Sequence, residues 1–258
     1  MQGGNKIISV LIMFLIGIAP VIHAQESADK LYVFDANWNG TDVNHARYLL
    51  RVQKISDSAW QWDTYNILGP LIKTELFKDP DGNVAEGEIY FYNSNGRIDS
   101  IQNYKNGLAH GEWYYKNDTG RATIVKVFSN GILIEERDLI KEDSIKNLKG
   151  TNEKESDLKK VERESEFPGG QKGWAKYLNK NVLYPDRAYN NKIQGMVQVQ
   201  FIVDTNGKLI EPRIAKSVEF SLDEEALRLI RSSPKWIPAE QNGRKVKSYK
   251  LQPVVFQL

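Results

Sequence analysis

The feature of the sequence that most constrains the fold is a repeat of 24 residues in the middle of the chain. The segment GEIYFYN, which starts at Gly87, is followed 24 residues later by GEWYYKN, which starts at Gly111. Each copy continues through a glycine and an alternating apolar segment to an Asn-Gly pair, at 106–107 and 130–131. Asn-Gly tolerates the positive φ angles of a tight turn, so each unit is predicted to be a β-hairpin. A single hairpin cannot bury its apolar face, so we expect the units to stack side by side in an extended sheet.

The chain before the repeat shows the alternation of apolar and polar residues that is typical of β-strands. Between residues 31 and 67 the alternating segments are separated by breaks such as NWNG at 37–40. A period of two predicts short strands here. Residues 77–86 resemble the end of an earlier, imperfect repeat unit. We therefore predict a β-rich region over residues 25–136, with the repeat clearest over 87–134.

Two turn segments of the repeat, YNSNG at 92–96 and YKNG at 104–107, resemble the MORN-like repeats of bacterial envelope proteins. The row of aromatic residues in these units has two interpretations, which the sequence leaves open. It can form a binding surface for glycan or protein, or it can hold a two-sided sheet together through cross-strand pairs.

The chain starts with an apolar segment. Lys6 precedes a run from Ile7 to Ile22 that is almost entirely apolar, and a small residue, Ala24, follows it. At 16 residues the run is shorter than the roughly 20 that a membrane-spanning helix needs. A small residue followed by polar sequence favours cleavage over anchoring. Residues 1–24 are therefore predicted to be a signal peptide that is cleaved after Ala24; an uncleaved leader that anchors the protein in the inner membrane is the alternative.

The composition excludes several classes of function. The chain has no cysteine, so disulfides, thiol catalysis and a lipid anchor on cysteine are ruled out. Its three histidines lack the spacing of a metal site, and its net charge of +2 is too small to indicate nucleic-acid binding. We also find no constellation of nucleophile, base and acid. The protein is predicted not to be an enzyme and to use no cofactor, no metal and no nucleic acid.

Residues 137–165 differ in composition from the segments on either side. Glu, Asp, Lys, Ser and Asn dominate, and aromatic or branched apolar residues are almost absent after Ile145. Such a segment cannot bury enough apolar surface to offset the entropy of the chain. We predict a charged linker, flexible or transiently helical, without the proline that would stiffen it.

The last part of the chain, residues 166–258, carries helix and strand signals in alternation. Trp174 and Tyr177 share one face at helical spacing, which predicts a first helix. The segment 197–203 alternates apolar and polar residues as a half-exposed strand does. The Asn-Gly pair at 206–207 then turns this strand into a hairpin.

A second helix and a last strand follow the hairpin. Ser221 and Glu224 fit a capping box, so the helix is predicted to begin at Ser221 and to end before Pro234. The last strand is predicted over 246–258, and Pro253, which lacks an amide donor, marks it as an edge strand. These elements predict a two-layer α+β domain, in which a small antiparallel sheet carries two helices. The whole chain is thus predicted to be α+β, with an all-β repeat region before this domain.

The order of motifs in this domain resembles the C-terminal domain of TonB, in the form found in Bacteroidetes-type proteins. The resemblance covers residues 166–258, the last 93 residues of the chain. The motifs that carry it are FPGG at 167–170, YPDRA at 184–188, GMVQVQF at 195–201, DTNG at 204–207, LDEEA at 222–226, PKWIP at 234–238 and PVVFQL at 253–258.

The resemblance implies a function in the periplasm. Domains of this family grip the TonB box, a short N-terminal segment of TonB-dependent transporters in the outer membrane. The segment adds as a strand to the edge of the domain's sheet, and an ExbB/ExbD-type complex in the inner membrane supplies the pull that opens the transporter. Strand addition draws its affinity from main-chain hydrogen bonds and requires a free edge strand.

The resemblance also places the contact residues, in two segments. Trp236, Phe201 and Leu227 are assigned to the core, and an alternative for the last strand is pairing within its own sheet only. The candidate partner-binding residues are Tyr184, Pro185 and Arg187 before the first strand, and Val246, Lys247, Ser248, Tyr249, Lys250 and Leu251 in the last strand.

Two functions remain open at this point. In the first, the protein is an energy transducer, or an accessory, in TonB-dependent transport and is coupled to the inner-membrane motor. In the second, it is a soluble periplasmic adaptor whose repeat sheet binds envelope material while its C-terminal domain docks a partner without transmitting force. A cleavable leader and a linker without proline put force transmission in doubt but leave peptide binding untouched. A homodimer is a further alternative.

Overall fold

The computed structural model describes residues 29–148 and 163–258. The predicted signal peptide, residues 1–24, lies outside these ranges. Within them, no helix combines the length and the apolar character needed to cross a membrane.

The first described range is dominated by one large antiparallel sheet. Its strands pair in chain order, and only a short strand after the sixth departs from this order, because it pairs back on the sixth. The strands are β1 (Lys30–Phe34), β2 (Tyr48–Ser56), β3 (Ala59–Asn66), β4 (Leu71–Phe77), β5 (Gly87–Tyr92), β6 (Ile98–Lys105), β7 (Leu108–Ala109), β8 (Gly111–Lys116), β9 (Ala122–Ser129) and β10 (Ile132–Asp138).

The 24-residue repeat forms two hairpins of this sheet. β5 pairs with β6, and β8 pairs with β9. Asn106 and Gly107 have φ angles of 52° and 78°, and Asn130 and Gly131 have φ angles of 49° and 83°. Positive φ at both positions is the type I′ turn that Asn-Gly favours, so the predicted turns are confirmed. The likeness of the repeat to MORN repeats stays a prediction.

A helix, α1 (Leu139–Leu148), follows β10 directly and falls inside the predicted linker. The carboxylate of Asp138 accepts hydrogen bonds from the amides of Ile140 and Lys141, both at 3.1 Å, and so caps the helix. At the far end of the predicted linker, Arg163 and Glu166 form bridges with Glu240 and Ile237. Residues 149–162 lie outside the described ranges, so a flexible linker stays an expectation there.

The second described range is a mixed domain, as predicted. Two helices, α2 (Gly170–Asn181) and α3 (Asp186–Asn190), precede the hairpin of β11 (Gly195–Val203) and β12 (Leu209–Lys216). The helix α4 (Phe220–Arg231) and three strands follow: β13 (Ala239–Gln241), β14 (Arg244–Val246) and β15 (Ser248–Phe256). The main sheet has the order β12-β11-β15, and β13 pairs with β14 in a separate hairpin. The α+β class is confirmed.

The core of this domain lies between its sheet and its helices. The alternating residues of β11 from Val197 to Val203 are at most 1% exposed, and on α4 Leu222 and Leu229 are fully buried. The three residues assigned to the core from the sequence are also buried: Phe201, Trp236 and Leu227 are 1%, 4% and 5% exposed. The period of two in β11 is therefore the pattern of a strand with one buried face.

The start of α4 differs from the prediction. The helix begins at Phe220, and Glu219 is its N-cap residue in place of Ser221. The Glu219 carboxylate accepts hydrogen bonds from the amide and the hydroxyl of Ser221, at 2.8 and 2.6 Å. Glu224, the other half of the predicted capping box, contacts Arg51 of β2 instead. The predicted capping box is wrong because the buried carboxylate of Glu219, two residues earlier, bonds the amide and the hydroxyl of Ser221 itself.

The large sheet and the C-terminal domain share one hydrophobic core. Leu49, Tyr65 and Leu71 of the sheet belong to the same buried cluster as the residues of β11 and α4. The ring of Tyr65 meets the ring of Phe220 edge-on at 5.4 Å. The two regions are therefore packed against each other, in addition to being joined through the chain.

Candidate functional site

The strand β15 forms one edge of the C-terminal sheet. It pairs with β11 along its whole length, from Gly195 opposite Phe256 to Val203 opposite Ser248. Among the described residues, no strand pairs with its other side. A strand with one side unpaired offers a row of amide and carbonyl groups to an added strand.

The side chains of β15 alternate between buried and exposed positions. Val254 and Phe256 point into the core and are at most 2% exposed. On the other face Tyr249, Leu251 and Val255 are 66%, 52% and 61% exposed. Large apolar side chains therefore form a stripe on the outer face of this edge strand, beside its free main-chain groups.

Pro253 indicates which residues of β15 direct their main chain toward the free side. Residues of an antiparallel strand face the partner strand and the opposite side in alternation. Proline has no amide hydrogen, so within sheets it occupies positions at which that hydrogen would point away from the partner. Pro253 lies opposite Gln198 of β11, so its nitrogen faces the free side of β15. Tyr249, Leu251 and Val255 are an even number of residues away from Pro253, so their amides face the free side as well.

The predicted contacts of the last strand fall around the start of β15. Ser248, Tyr249, Lys250 and Leu251 lie on β15, whereas Val246 ends β14 and Lys247 joins the two strands. Ser248 donates a hydrogen bond to the hydroxyl of Ser165 at 2.7 Å, and Lys250 lies 3.7 Å from Glu164. The segment before α2 therefore contacts the first residues of β15 through side chains and leaves Tyr249 and Leu251 exposed.

The predicted contacts near the first strand lie at the opposite end of β15. The Tyr184 ring packs edge-on against Phe256, at 5.9 Å, and its hydroxyl donates to the carbonyl of Ile193 at 2.6 Å. Pro185 caps α3. Tyr249 is seven residues from Phe256, a distance of about 23 Å along a strand. The structure therefore does not bring the two predicted segments together; it places them at the two ends of the same edge.

Arg187 takes part in the contact between the C-terminal domain and the large sheet. Its Nε lies 2.5 Å from Glu219, whose side chain is fully buried, and its Nη2 donates to the carbonyl of Ile67. The side chain of Arg187 is 31% exposed, so one side of it remains accessible. This role at the interface was not predicted from the sequence.

An ion cluster at the same interface was also missed. Arg51 of β2 lies 2.6 Å from Asp63 of β3 and 2.6 Å from Glu224 of α4. Arg51 and Asp63 are both 2% exposed. Arg51 and Asp63 lie opposite each other across the β2–β3 pair, so the alternation of the two strands could have predicted this contact. No local sequence pattern predicts the contact with Glu224.

A buried carboxyl group lies beside this cluster. Asp223 is fully buried, and burial raises its pKa to about 8. It accepts hydrogen bonds from the hydroxyl of Ser217 at 2.5 Å and from the amide of Val218 at 3.1 Å, which partly offset that rise. Ser217 in turn accepts from the amide of Leu71 in β4 at 2.8 Å. Asp223 therefore holds the start of α4 to the end of β12 and, through Ser217, to the large sheet.

The described residues contain no group of three or more His, Asp or Glu side chains arranged to hold a metal ion. The candidate site is the free edge of β15 with its apolar stripe, and the two predicted contact segments lie at its two ends.

Comparison with known proteins agrees with this geometry. Residues 180–258 match the family model described as the C-terminal domain of the Gram-negative bacterial TonB protein. No curated protein and no solved structure matches the chain. The matched range runs from the end of α2 through β15 and includes the free edge. Domains of this family act in transport across the cell envelope and contact outer-membrane transporters. The match covers less than a third of the chain, and over residues 180–258 the chain is similar to the TonB C-terminal domain.

Proposed function

We propose that this protein acts in the periplasm and binds the TonB box of outer-membrane TonB-dependent transporters by strand addition to β15, in support of energy-coupled transport. The observation that carries the proposal is the free edge of β15 within a domain that matches the TonB C-terminal family. A strand added there would extend the sheet to the order β12-β11-β15-peptide. Its affinity would come mainly from main-chain hydrogen bonds, which tolerate varied side chains.

The outer face of β15 supplies the side-chain contacts of the proposed complex. In a strand that adds to β15, every second side chain would lie on the face that carries Tyr249, Leu251 and Val255. Covering these exposed apolar side chains would add hydrophobic stabilisation to the main-chain bonds. Tyr184 packs on Phe256, whose side chain lies on the opposite, buried face. A peptide would therefore reach Tyr184 only past the end of the strand.

The second function, a soluble adaptor, is favoured by the contact between the two regions. The C-terminal domain is packed on the large sheet through Arg51, Arg187 and a shared core. These contacts hold the two regions together in addition to the chain that joins them. In this form the sheet binds envelope material while β15 holds the transporter segment. Coupling to an ExbB/ExbD-type motor then depends on whether the leader is kept.

A proline scan of β15 tests the strand-addition proposal. Tyr249→Pro removes an amide that faces the free side, so we expect capture of immobilised TonB-box peptides to fall at least about tenfold while the domain stays folded. Tyr249→Ala loses the ring but keeps the amide, so it is the matched control and should capture clearly more peptide than Tyr249→Pro. Lys250→Pro removes an amide that faces β11 and should instead destabilise the domain. Full capture by Tyr249→Pro would rule out addition at this edge.

Mass spectrometry of the N-terminus of the native protein separates the two functions. A chain that begins at Gln25 excludes direct coupling to the motor and leaves the adaptor. An intact leader in the inner membrane, together with cross-links to an ExbB/ExbD-type complex, supports the transducer. A second copy that pairs through β15 would compete with the peptide, and sedimentation of the free and peptide-bound protein would reveal it.

A further inference from the structure

Two residues of the first repeat unit, Glu88 and Tyr90, contact an arginine of the C-terminal domain, Arg213. On β5, the hydroxyl of Tyr90 donates a hydrogen bond to the carboxylate of Glu88. Arg213 of β12 lies over the Tyr90 ring, with its guanidinium carbon 5.0 Å from the ring centroid. Its Nη1 is 3.2 Å from the Glu88 carboxylate and also donates to the Tyr90 hydroxyl. A carboxylate and an aromatic ring face thus form an arginine socket.

The second repeat unit carries the same pair of residues 24 positions later. On β8, the hydroxyl of Tyr114 donates to the carboxylate of Glu112, as Tyr90 does to Glu88. The sheet register places Tyr90 opposite Ile101 and Ile101 opposite Tyr114. Residues opposite each other across antiparallel strands share a face of the sheet, so both pairs lie on the face against which the C-terminal domain packs.

The second socket differs from the first in having no arginine paired with its carboxylate. Arg137 of β10 lies on the same face, in the row of Tyr114 and two strands away, but its ion pair is with Glu135, at 3.8 Å. Glu112 is exposed, and within residues 29–148 and 163–258 it has no ion pair. A shallow groove runs between the two units; Glu86, Glu88 and Glu112 line it, together with Lys105 and His110. Lys116, at the other end of β8, forms no ion pair with Glu112 among the described residues.

We propose that Glu112 and Tyr114 form a second arginine socket, which binds an arginine side chain on an extended segment of a partner protein. Two observations support the proposal. The equivalent pair, Glu88 and Tyr90, already binds Arg213, and Glu112 and Tyr114 lie on the same face of the sheet beside that contact. Arginine fits better than lysine because its planar guanidinium can stack on the ring while it donates to the carboxylate. The inference does not depend on the proposed function.

Nuclear magnetic resonance on the full chain tests the socket directly. The probe is the blocked tripeptide acetyl-Gly-Arg-Gly-amide, and the readout is the ring resonance of Tyr114, assigned by its loss in Tyr114→Leu. A saturable shift with a Kd on the order of millimolar is expected for a single exposed ion pair with ring stacking. The same tripeptide with citrulline, which keeps the shape and lacks the charge, should bind about 3- to 10-fold more weakly.

Two variants decide whether the shift reports the socket. Glu112→Gln should weaken binding about 3- to 10-fold, because it removes the charge and keeps the size of the side chain. Glu136→Gln is the matched control: Glu136 pairs with Lys126 at 3.1 Å in the row of Trp113, on the opposite face of the sheet, and should leave binding unchanged. Equal effects of the two variants, or no saturable shift up to about 50 mM peptide, would overturn the proposal.

Discussion

Arg51 of β2 and Glu224 of α4 lie 2.6 Å apart, on opposite sides of the contact between the large sheet and the C-terminal domain. The atoms in contact, Nη1 of Arg51 and Oε1 of Glu224, are not aligned for a hydrogen bond, so the contact is electrostatic. Asp63 receives two hydrogen bonds from the same guanidinium, at 3.2 and 2.6 Å. The buried guanidinium of Arg51 therefore pairs with a carboxylate of its own sheet, Asp63, and with a carboxylate of the C-terminal domain, Glu224.

Loss of this cation is expected to destabilise the whole protein. In Arg51→Met the side chain keeps most of its volume, but Asp63, which is 2% exposed, is left buried without a counter-charge. Removal of one partner of a buried pair lowers the free energy of unfolding by about 3–5 kcal/mol. Urea unfolding followed by tryptophan fluorescence measures the change. The control is Lys54→Met on the same strand, which removes an exposed pair with Asp57 and should change the free energy by less than about 1 kcal/mol.

The buried carboxyl of Asp223 predicts a fall in stability between mildly acidic and mildly basic pH. Its pKa is raised from 3.8 to about 8 in the folded protein, so between these values the folded state keeps a proton that the unfolded chain has released. The stability from this group is complete below about pH 3.8 and is lost as the pH rises through about 8. The free energy of unfolding is expected to fall by at most about 1.4 kcal/mol per pH unit because of this group.

Asp223→Asn removes this titration and is expected to flatten the dependence of the urea midpoint on pH between 5 and 8. Asp204→Asn is the control. Hydrogen bonding to the amide of Lys208 lowers the pKa of Asp204, so this group titrates below the range of the experiment. A slope that survives in Asp223→Asn would show that another group carries the proton.

The local features of this fold were predictable because short sequence signals determine them. The Asn-Gly pairs at 106–107 and 130–131 specify type I′ turns whatever surrounds them. The alternation from Val197 to Val203 specifies a strand with one buried face, and Pro253 specifies that β15 lies at an edge. The free edge of the candidate site was therefore predictable from the amino-acid sequence.

The contact between the two regions was not predictable in the same way. Arg213 and Glu88 are 125 residues apart, and Arg187 and Ile67 are 120 apart, so no local pattern links them. Arg213, Glu88 and Arg187 have the polar character of ordinary exposed positions, and Ile67 takes part only through its main-chain carbonyl. The start of α4 was misplaced for the same reason, because Glu219 is an effective cap only when Arg187 compensates its buried charge.

Arg187 is expected to matter for folding, whether or not it also contacts a peptide. In Arg187→Met the carboxylate of Glu219, which is fully buried, loses its cation, and the carbonyl of Ile67 loses its donor. We expect the free energy of unfolding to fall by about 3 kcal/mol. Arg163→Met removes a pair with Glu240 that is about as close, at 2.8 Å, but exposed, and should have less than about 1 kcal/mol of effect. Similar losses in the two variants would contradict a structural role for Arg187.

Two glycines at equivalent positions of the repeat allow the contact between the regions to be tested alone. Gly96 and Gly120 close the same turn in the two units, with φ angles of 72° and 84°. A Cβ atom on Gly96 would lie 2.1 Å from the carbonyl oxygen of Ser217 at the end of β12, whereas one on Gly120 would meet nothing within 4 Å. The amide of Ser217 also donates to the carbonyl of Gly96 at 2.8 Å, so the backbones touch at this point.

Both alanine variants carry the strain of a positive φ, which lowers the free energy of unfolding by about 1–2 kcal/mol. Gly96→Ala must in addition separate the turn from β12, which adds about 1–3 kcal/mol. Urea unfolding of the two variants, each compared with the parent protein, measures the difference. If Gly96→Ala and Gly120→Ala are equally stable, the two regions do not pack through this turn; a larger loss in Gly96→Ala shows that the turn of the first repeat bears on the C-terminal domain in solution.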